Sequence, residues 1–140
     1  MLAVTTYPQD YIDECRSAMD AQLAAYRAVA AALGSDAAGG SALTSFEPVF
    51  FGNLVLVLDQ YFVHRTRAIE GKDGNPLNEV RMLAGSILTA GRVLAADKTI
   101  KYKPETSVLG LAIGDEIVLD DARFGELSKA FFAEIEQRFT

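Results

Sequence analysis

The chain has 140 residues, of which half are hydrophobic and 23% are charged, and its formal net charge is −6. This length is typical of a single domain, and the hydrophobic fraction is too high for a disordered chain. The single cysteine, Cys15, excludes an internal disulfide framework and Cys-rich zinc modules. The single histidine, His64, excludes the multi-histidine metal sites of helical bundles.

Composition also gives an expectation for compartment and partners. Residues 1–12 contain no basic region and no long apolar run, so they do not resemble a secretory signal. The most apolar stretch, 49–63, is shorter than the ~20 residues that span a bilayer. A pI near 4.7 argues against non-specific nucleic-acid binding, which needs a basic face. We therefore expect a cytoplasmic protein that binds neither membranes nor nucleic acid.

The first predicted helix covers residues 8–33. Pro8 suits the first position of a helix, and residues 9–33 contain no glycine or proline. Apolar residues recur there at steps of three or four, which is typical of an amphipathic helix. Gly34 is predicted to end it, and the small, polar stretch 34–42 is predicted to be a flexible connection.

The second predicted helix covers residues 44–70. Thr44 and Glu47 have the spacing of a capping box, Pro48 is tolerable in the first turn, and Gly71 is placed to end the helix. Apolar side chains cover most of its circumference between positions 46 and 63. Such a helix is central in the fold, or a partner chain covers its second side.

A third helix is predicted over residues 76–90, with Asn75 as its N-cap and Pro76 as its first residue. A fourth is predicted over 120–139, where apolar residues again recur at steps of three or four.

Between these helices, residues 91–119 lose the helical period. The alternation over 99–103 and the β-type run over 116–119 predict two short strands or extended segments. The fold class is therefore mainly α: an up-and-down four-helix bundle in one domain, with a small extended or β-hairpin-like insertion between its third and fourth helices.

Charge is distributed unevenly along the chain. The segment from His64 to Lys103 has eight basic and four acidic residues, a net charge of +4, which leaves −10 for the remainder. A bipolar chain of this kind can attract an anionic ligand or pair with its own copy. The alternative is a solvated face with local ion pairs.

Several polar residues fall on one side of the second predicted helix. At 100° per residue, five positions lie within about 60° of one another: Asn53, Gln60, His64, Arg67 and Gly71. This line is either the wall of a pocket or the solvent edge of the helix.

The loop 71–78 is the most distinctive stretch. Its two glycines and the free N–H groups at the start of the third helix, next to Asn75, would face four basic residues, Arg65, Arg67, Lys72 and Arg81. That arrangement suits a phosphate or a carboxylate. Alternatively, it is a well-capped turn in which Glu70 and Glu79 pair with the arginines. A calcium loop is excluded because the downstream acidic ligands are missing.

The sequence favours binding over catalysis. It contains no dinucleotide, P-loop, hydrolase or di-iron motif. We expect a non-enzymatic protein, without metal or cofactor, that binds a partner protein or a small anionic ligand. The candidate binding residues are Asn53, Gln60, His64, Arg65, Arg67, Lys72, Asn75 and Arg81.

The alternative is a small-molecule enzyme that uses His64 as its general acid or base. In that case Gln60 or Glu79 would orient the imidazole, and Asn53, Gln60 and Arg67 would position the substrate.

A homodimer is also expected. The second helix has more apolar circumference than one bundle core needs, and Phe131, Phe132 and Phe139 add aromatic surface to the last helix. Because Phe131 and Phe132 are about 100° apart on the helix, one of them is predicted to face outward and to be covered by the second copy.

Overall fold

The fold is described from a computed structural model that covers residues 3–34 and 36–140. Within these ranges the framework consists of five α-helices and one 3-10 turn, Pro104–Thr106. The helices are α1 (Gln9–Leu33), α2 (Ala37–Tyr61), α3 (Arg67–Glu70), α4 (Pro76–Thr89) and α5 (Asp121–Phe139). The mainly helical class is confirmed, and α1, α4 and α5 begin and end within one residue of their predicted bounds.

The four long helices pack around one aromatic core. α2 and α5 contact each other, and each also contacts α1 and α4. Phe51, Phe62 and Phe124 are fully buried between them. Tyr7, which precedes α1, packs edge-on against Phe62 with 4.9 Å between ring centroids, so the N-terminal segment closes one end of this core.

The prediction that Phe131 or Phe132 faces outward is wrong. Phe131, Phe132 and Phe139 are all buried. The two adjacent rings can point in different directions and still be covered, because α5 is surrounded by α1, α2 and α4. The Arg16 guanidinium lies over the Phe132 ring, 5.1 Å from its centroid.

α2 begins earlier than predicted. Asp36 is its N-cap, and the Asp36 carboxylate accepts a 2.7 Å hydrogen bond from the N–H of Gly39. Residues 37–42 are therefore helical, which corrects the prediction of a flexible connection over 34–42; Ser35 lies outside the described residues. Pro48 lies inside the helix instead of in its first turn.

α2 also ends earlier than predicted, at Tyr61 instead of residue 70. The extended N-terminal segment pairs with the chain just beyond this end. The Val4 N–H donates to the His64 carbonyl (2.7 Å), and the Thr66 N–H donates to the Val4 carbonyl (2.9 Å). These backbone groups are the ones that a continued helix would have used, so the chain turns and α3 forms as a separate single turn.

The segment between α4 and α5 contains no strand in the described part of the chain, which corrects the hairpin prediction. It has one antiparallel bridge, between Val93 and Glu116. The predicted strand at 99–103 does not pair with 116–119. Its Lys101 N–H donates instead to the Lys72 carbonyl (2.8 Å). The insertion therefore consists of turns, bends, irregular segments and the 3-10 turn Pro104–Thr106.

α2 has a large apolar surface outside the core. By length and composition it is the one helix of the described residues that could span a membrane, and 28% of its most apolar window is buried. The prediction from 49–63 alone underestimated its length, because the helix continues back to Ala37. The core helix of a water-soluble protein meets the same criterion of length and composition, but such a helix is mostly buried.

Candidate functional site

A buried cluster of charged side chains lies where α3 meets α4. Glu70 is 0% exposed, and its carboxylate accepts hydrogen bonds from Arg65 Nε (2.8 Å), Arg81 Nη2 (2.6 Å) and Asn78 Nδ2 (2.7 Å). Arg65 is also buried and donates from Nη2 to Asp59 Oδ1 (2.9 Å). Two arginines are thus anchored by two carboxylates.

The electrostatics of this cluster favour an ionised Glu70. Burial alone would raise the pKa of Glu70, but the hydrogen bond from Arg81 and the positive charges of Arg65 and Arg81 outweigh it and lower the pKa below its usual value. The cluster therefore stays charged near neutrality, and it fixes the positions of both guanidinium groups.

The start of α4 is a capped turn. The Asn75 side chain accepts from the N–H groups of Leu77 (2.9 Å) and Asn78 (3.2 Å) and donates to the Glu70 carbonyl (2.7 Å). The N–H groups that were predicted to be free for an anion are thus used by Asn75 itself. Glu79 does not pair with an arginine; its carboxylate accepts from the N–H groups of Val108 and Leu109 (2.8 and 3.0 Å).

The polar line predicted on the second helix is broken by the early end of α2. Asn53 and Gln60 are exposed on the outer side of α2, whereas His64, Arg67 and Gly71 follow the helix and do not share that face.

Four of the eight candidate residues nevertheless meet at one cleft of about 280 Å³. We call it the cationic cleft; its lining is Ala3, Val63, His64, Arg65, Thr66, Arg67 and Arg81. Three arginines and a histidine contribute to this wall, and none of its lining residues is acidic. Asn53, Gln60, Lys72 and Asn75 do not line it.

Arg67 differs from the other two arginines because no carboxylate in the described part of the chain binds it. Its Nη2 donates to Thr99 Oγ1 (3.0 Å), and its buried Nε has no hydrogen-bond partner among the described residues. Asp97 lies near enough for the Arg67 charge to act on it, but its carboxylate accepts from the Thr99 N–H and hydroxyl (2.8 and 2.6 Å). These hydrogen bonds, followed by the charges of Arg67 and Arg81, lower the pKa of Asp97.

Comparison with known proteins gives no match: no protein-family model, no curated sequence and no solved structure is significantly similar to this chain. The functional argument therefore depends on the geometry of the cleft.

His64 lies at the cleft with an exposed side chain. The acceptors predicted to orient its imidazole are elsewhere: Glu79 binds the backbone of the insertion, and no side-chain hydrogen bond joins Gln60 to His64 in the described part of the chain. Among the described residues, no group of three or more His, Cys, Asp or Glu side chains is placed to hold a metal ion.

Sequence reasoning missed the residues that complete the site from outside the segment 64–81. Thr99 binds Arg67 from the insertion, and Ala3 contributes to the lining from the N-terminal segment. No local pattern marks either residue, since both reach the cleft through tertiary contacts.

Proposed function

We propose that this protein is a cytoplasmic, non-enzymatic up-and-down helical bundle that binds a small anion, a carboxylate or a phosphate, in the cationic cleft. The observation that carries the proposal is Arg67, which lines the cleft and has no carboxylate partner among the described residues. Guanidinium groups bind carboxylates and phosphates through paired N–H donors, so an anion in the cleft would accept from the Nη groups of Arg67.

The buried cluster supports this proposal by fixing the cleft in advance. Arg65 and Arg81 are held by Glu70 and Asp59, so the walls need little reorganisation when a ligand binds. The volume of about 280 Å³ is slightly below the range for ligand pockets, roughly 300–1,000 Å³, which favours a small ligand.

The test is a thermal-unfolding screen with phosphate, pyrophosphate, acetate and citrate, each against sodium chloride of equal ionic strength. A ligand that binds only the folded state raises the melting temperature, by an amount that corresponds to about 2.7 kcal/mol at 100 times its Kd. We expect at least one anion to do this in the wild-type protein, with a smaller gain at high salt because salt screens the arginines.

Arg67→Gln is expected to abolish the gain. The matched control is Arg27→Gln, which removes the same charge from the exposed pair that Arg27 forms with Asp121 (2.8 Å), away from the cleft. Arg27→Gln should respond to the anion like the wild-type protein. The proposal is overturned if no anion exceeds the chloride control, or if Arg67→Gln responds as the wild-type protein does.

A further inference from the structure

The outer face of α2 has a pattern that is symmetric about Asn53. Side chains three, four and seven positions away in both directions share this face: Phe46, Val49, Phe50, Leu56, Val57 and Gln60. Phe46 is 48% exposed and Val49 is 51% exposed. Asn53 and Gln60 are also exposed, whereas Phe50, Leu56 and Val57 are half-buried against the core. Between positions 46 and 60 every exposed side chain belongs to this row, so it is the side of α2 that the bundle covers least.

The face carries no charge, although the protein has a net charge of −6. The two charged residues of α2 lie off this row: Glu47 is half-buried beside it, and Asp59 binds Arg65. Two copies that each carry a net negative charge repel each other where their acidic surfaces meet. The uncharged row is where they can approach without that cost.

We propose that a second copy of this chain covers this face, with the two α2 helices antiparallel and Asn53 at the two-fold axis. A two-fold contact brings the same patch of both copies together, so each residue before Asn53 meets the residue equally far after it. Val49 then faces Val57 of the other copy, and Phe50 faces Leu56. The Asn53 amide has both donors and an acceptor, so two copies of it can hydrogen-bond to each other at the axis.

The shape of the surface agrees with this arrangement. An apolar groove of about 240 Å³, lined partly by Tyr26, Val29 and Phe50, lies at one end of the face. A second groove of about 280 Å³, formed by Leu56, Val57, Gln60 and Tyr61, lies at the other. An antiparallel pairing places the second groove of each copy opposite the first groove of its partner.

A second copy explains this face better than contact with the surface of a membrane does. Helices that lie in the membrane interface carry Lys and Arg on their polar side, whereas α2 contains neither. The row from Phe46 to Gln60 is about 21 Å long, which makes a small interface, so we expect a dimer that dissociates in the micromolar range. This inference does not depend on the cationic cleft.

The test is sedimentation velocity over a range of concentrations. We expect the 15.1 kDa chain to approach twice its mass as concentration rises.

Asn53→Asp keeps the side-chain shape but places two negative charges at the axis, so the dissociation constant should rise at least tenfold. Asn53→Leu should retain the dimer. Gln137→Glu, the same amide-to-acid change at an exposed position of α5, is the control and should dimerise normally.

Two results would overturn the proposal. One is a wild-type protein that stays monomeric throughout the micromolar range. If that monomer also floats with phosphatidylcholine vesicles, the face is assigned to lipid. The other is Asn53→Asp dimerising as tightly as the wild-type protein. Circular dichroism and melting temperature establish that each variant is folded, and Val57→Glu provides a second substitution on the same face.

Discussion

At the scale of single residues, Gly74 is a position that has little freedom to change. Its φ of +87° lies in the left-handed region, and a Cβ there would lie 2.7 Å from the Lys101 carbonyl oxygen. The positive φ costs an L-residue roughly 1–2 kcal/mol, and the clash with backbone adds to it. We expect Gly74→Ala to lower the free energy of unfolding by about 3 kcal/mol, measured by urea denaturation.

Gly85 provides the control for this substitution. It lies in α4, is exposed, and has open space where a Cβ would be added. Gly85→Ala should therefore raise the free energy of unfolding by roughly 0.5–1 kcal/mol, because alanine loses less backbone entropy in a helix. Equal shifts in the two variants would show that the contact between the loop and Lys101 does not contribute to stability.

The caps of individual helices could be predicted from the sequence, but the buried charges could not. Asn75 and Pro76 carry a local signal that specifies the start of α4, and the structure has both in the predicted roles. One of the predicted alternatives paired Glu70 with the arginines, and this pairing is confirmed, but no local signal predicts its burial. Glu70 is buried because it contacts Arg65 before it in the chain and Asn78 and Arg81 after it. A helix continued to residue 70 would have placed these groups differently.

At the scale of elements, α2 depends on a cap that sequence analysis did not find. Asp36→Ala removes the acceptor for the Gly39 N–H, which costs about 1 kcal/mol and should fray the first turns of α2. Hydrogen exchange should become faster at residues 37–43. Asp20→Ala, an exposed position inside α1, is the control and should change the free energy of unfolding by less than about 0.5 kcal/mol.

The errors in element bounds have a common physical cause. Local signals in the sequence mark both ends of α1, at Pro8 and Gly34, and the start of α5, at Asp120. The structure agrees with these predicted helix ends. The end of α2 depends on Val4, which is sixty residues away in the chain, and the path of the insertion depends on Glu79 binding the N–H groups of residues 108 and 109. Periodicity within a window of sequence contains no information about such partners.

At the scale of the whole molecule, the uneven charge distribution predicted part of the site. The basic segment does bring His64, Arg65, Arg67 and Arg81 together. Glu70 lies between two of the arginines and neutralises part of this charge. The local ion pairs expected on a solvated face are thus present, but Glu70 and Arg65 are buried. Attraction of an anionic ligand stays a prediction.

The same cluster makes the stability of the whole molecule depend on pH. The pKa of Glu70 is lower in the folded state than its unfolded value, roughly 4.3. Its contribution to stability is therefore complete above that value and is lost as pH falls through the folded-state pKa. Asp73, held by the Asn75 amide, and Asp97, held by Thr99, have lowered pKa values and act in the same direction.

Glu79 acts in the opposite direction. Burial raises the pKa of Glu79, and the hydrogen bonds from Val108 and Leu109 only partly offset it. The contribution of Glu79 to the free energy of unfolding is present at pH values below its unfolded-state pKa. It is lost as pH rises through its folded-state pKa. Three carboxyl groups with lowered pKa values oppose one with a raised value, so we expect the free energy of unfolding to fall as pH drops below about 4.3.

Glu70→Gln isolates the contribution of the buried Glu70 carboxylate. At pH 7 the substitution leaves Arg65 buried beside a neutral amide, and we expect a loss of about 3 kcal/mol in urea denaturation. Toward pH 3 the wild-type Glu70 becomes protonated, so the difference between the two proteins should shrink. Glu126→Gln, the same change at an exposed position of α5, should follow the wild-type curve. A difference that stays constant from pH 7 to pH 3 would mean that Glu70 contributes through packing and not through its charge.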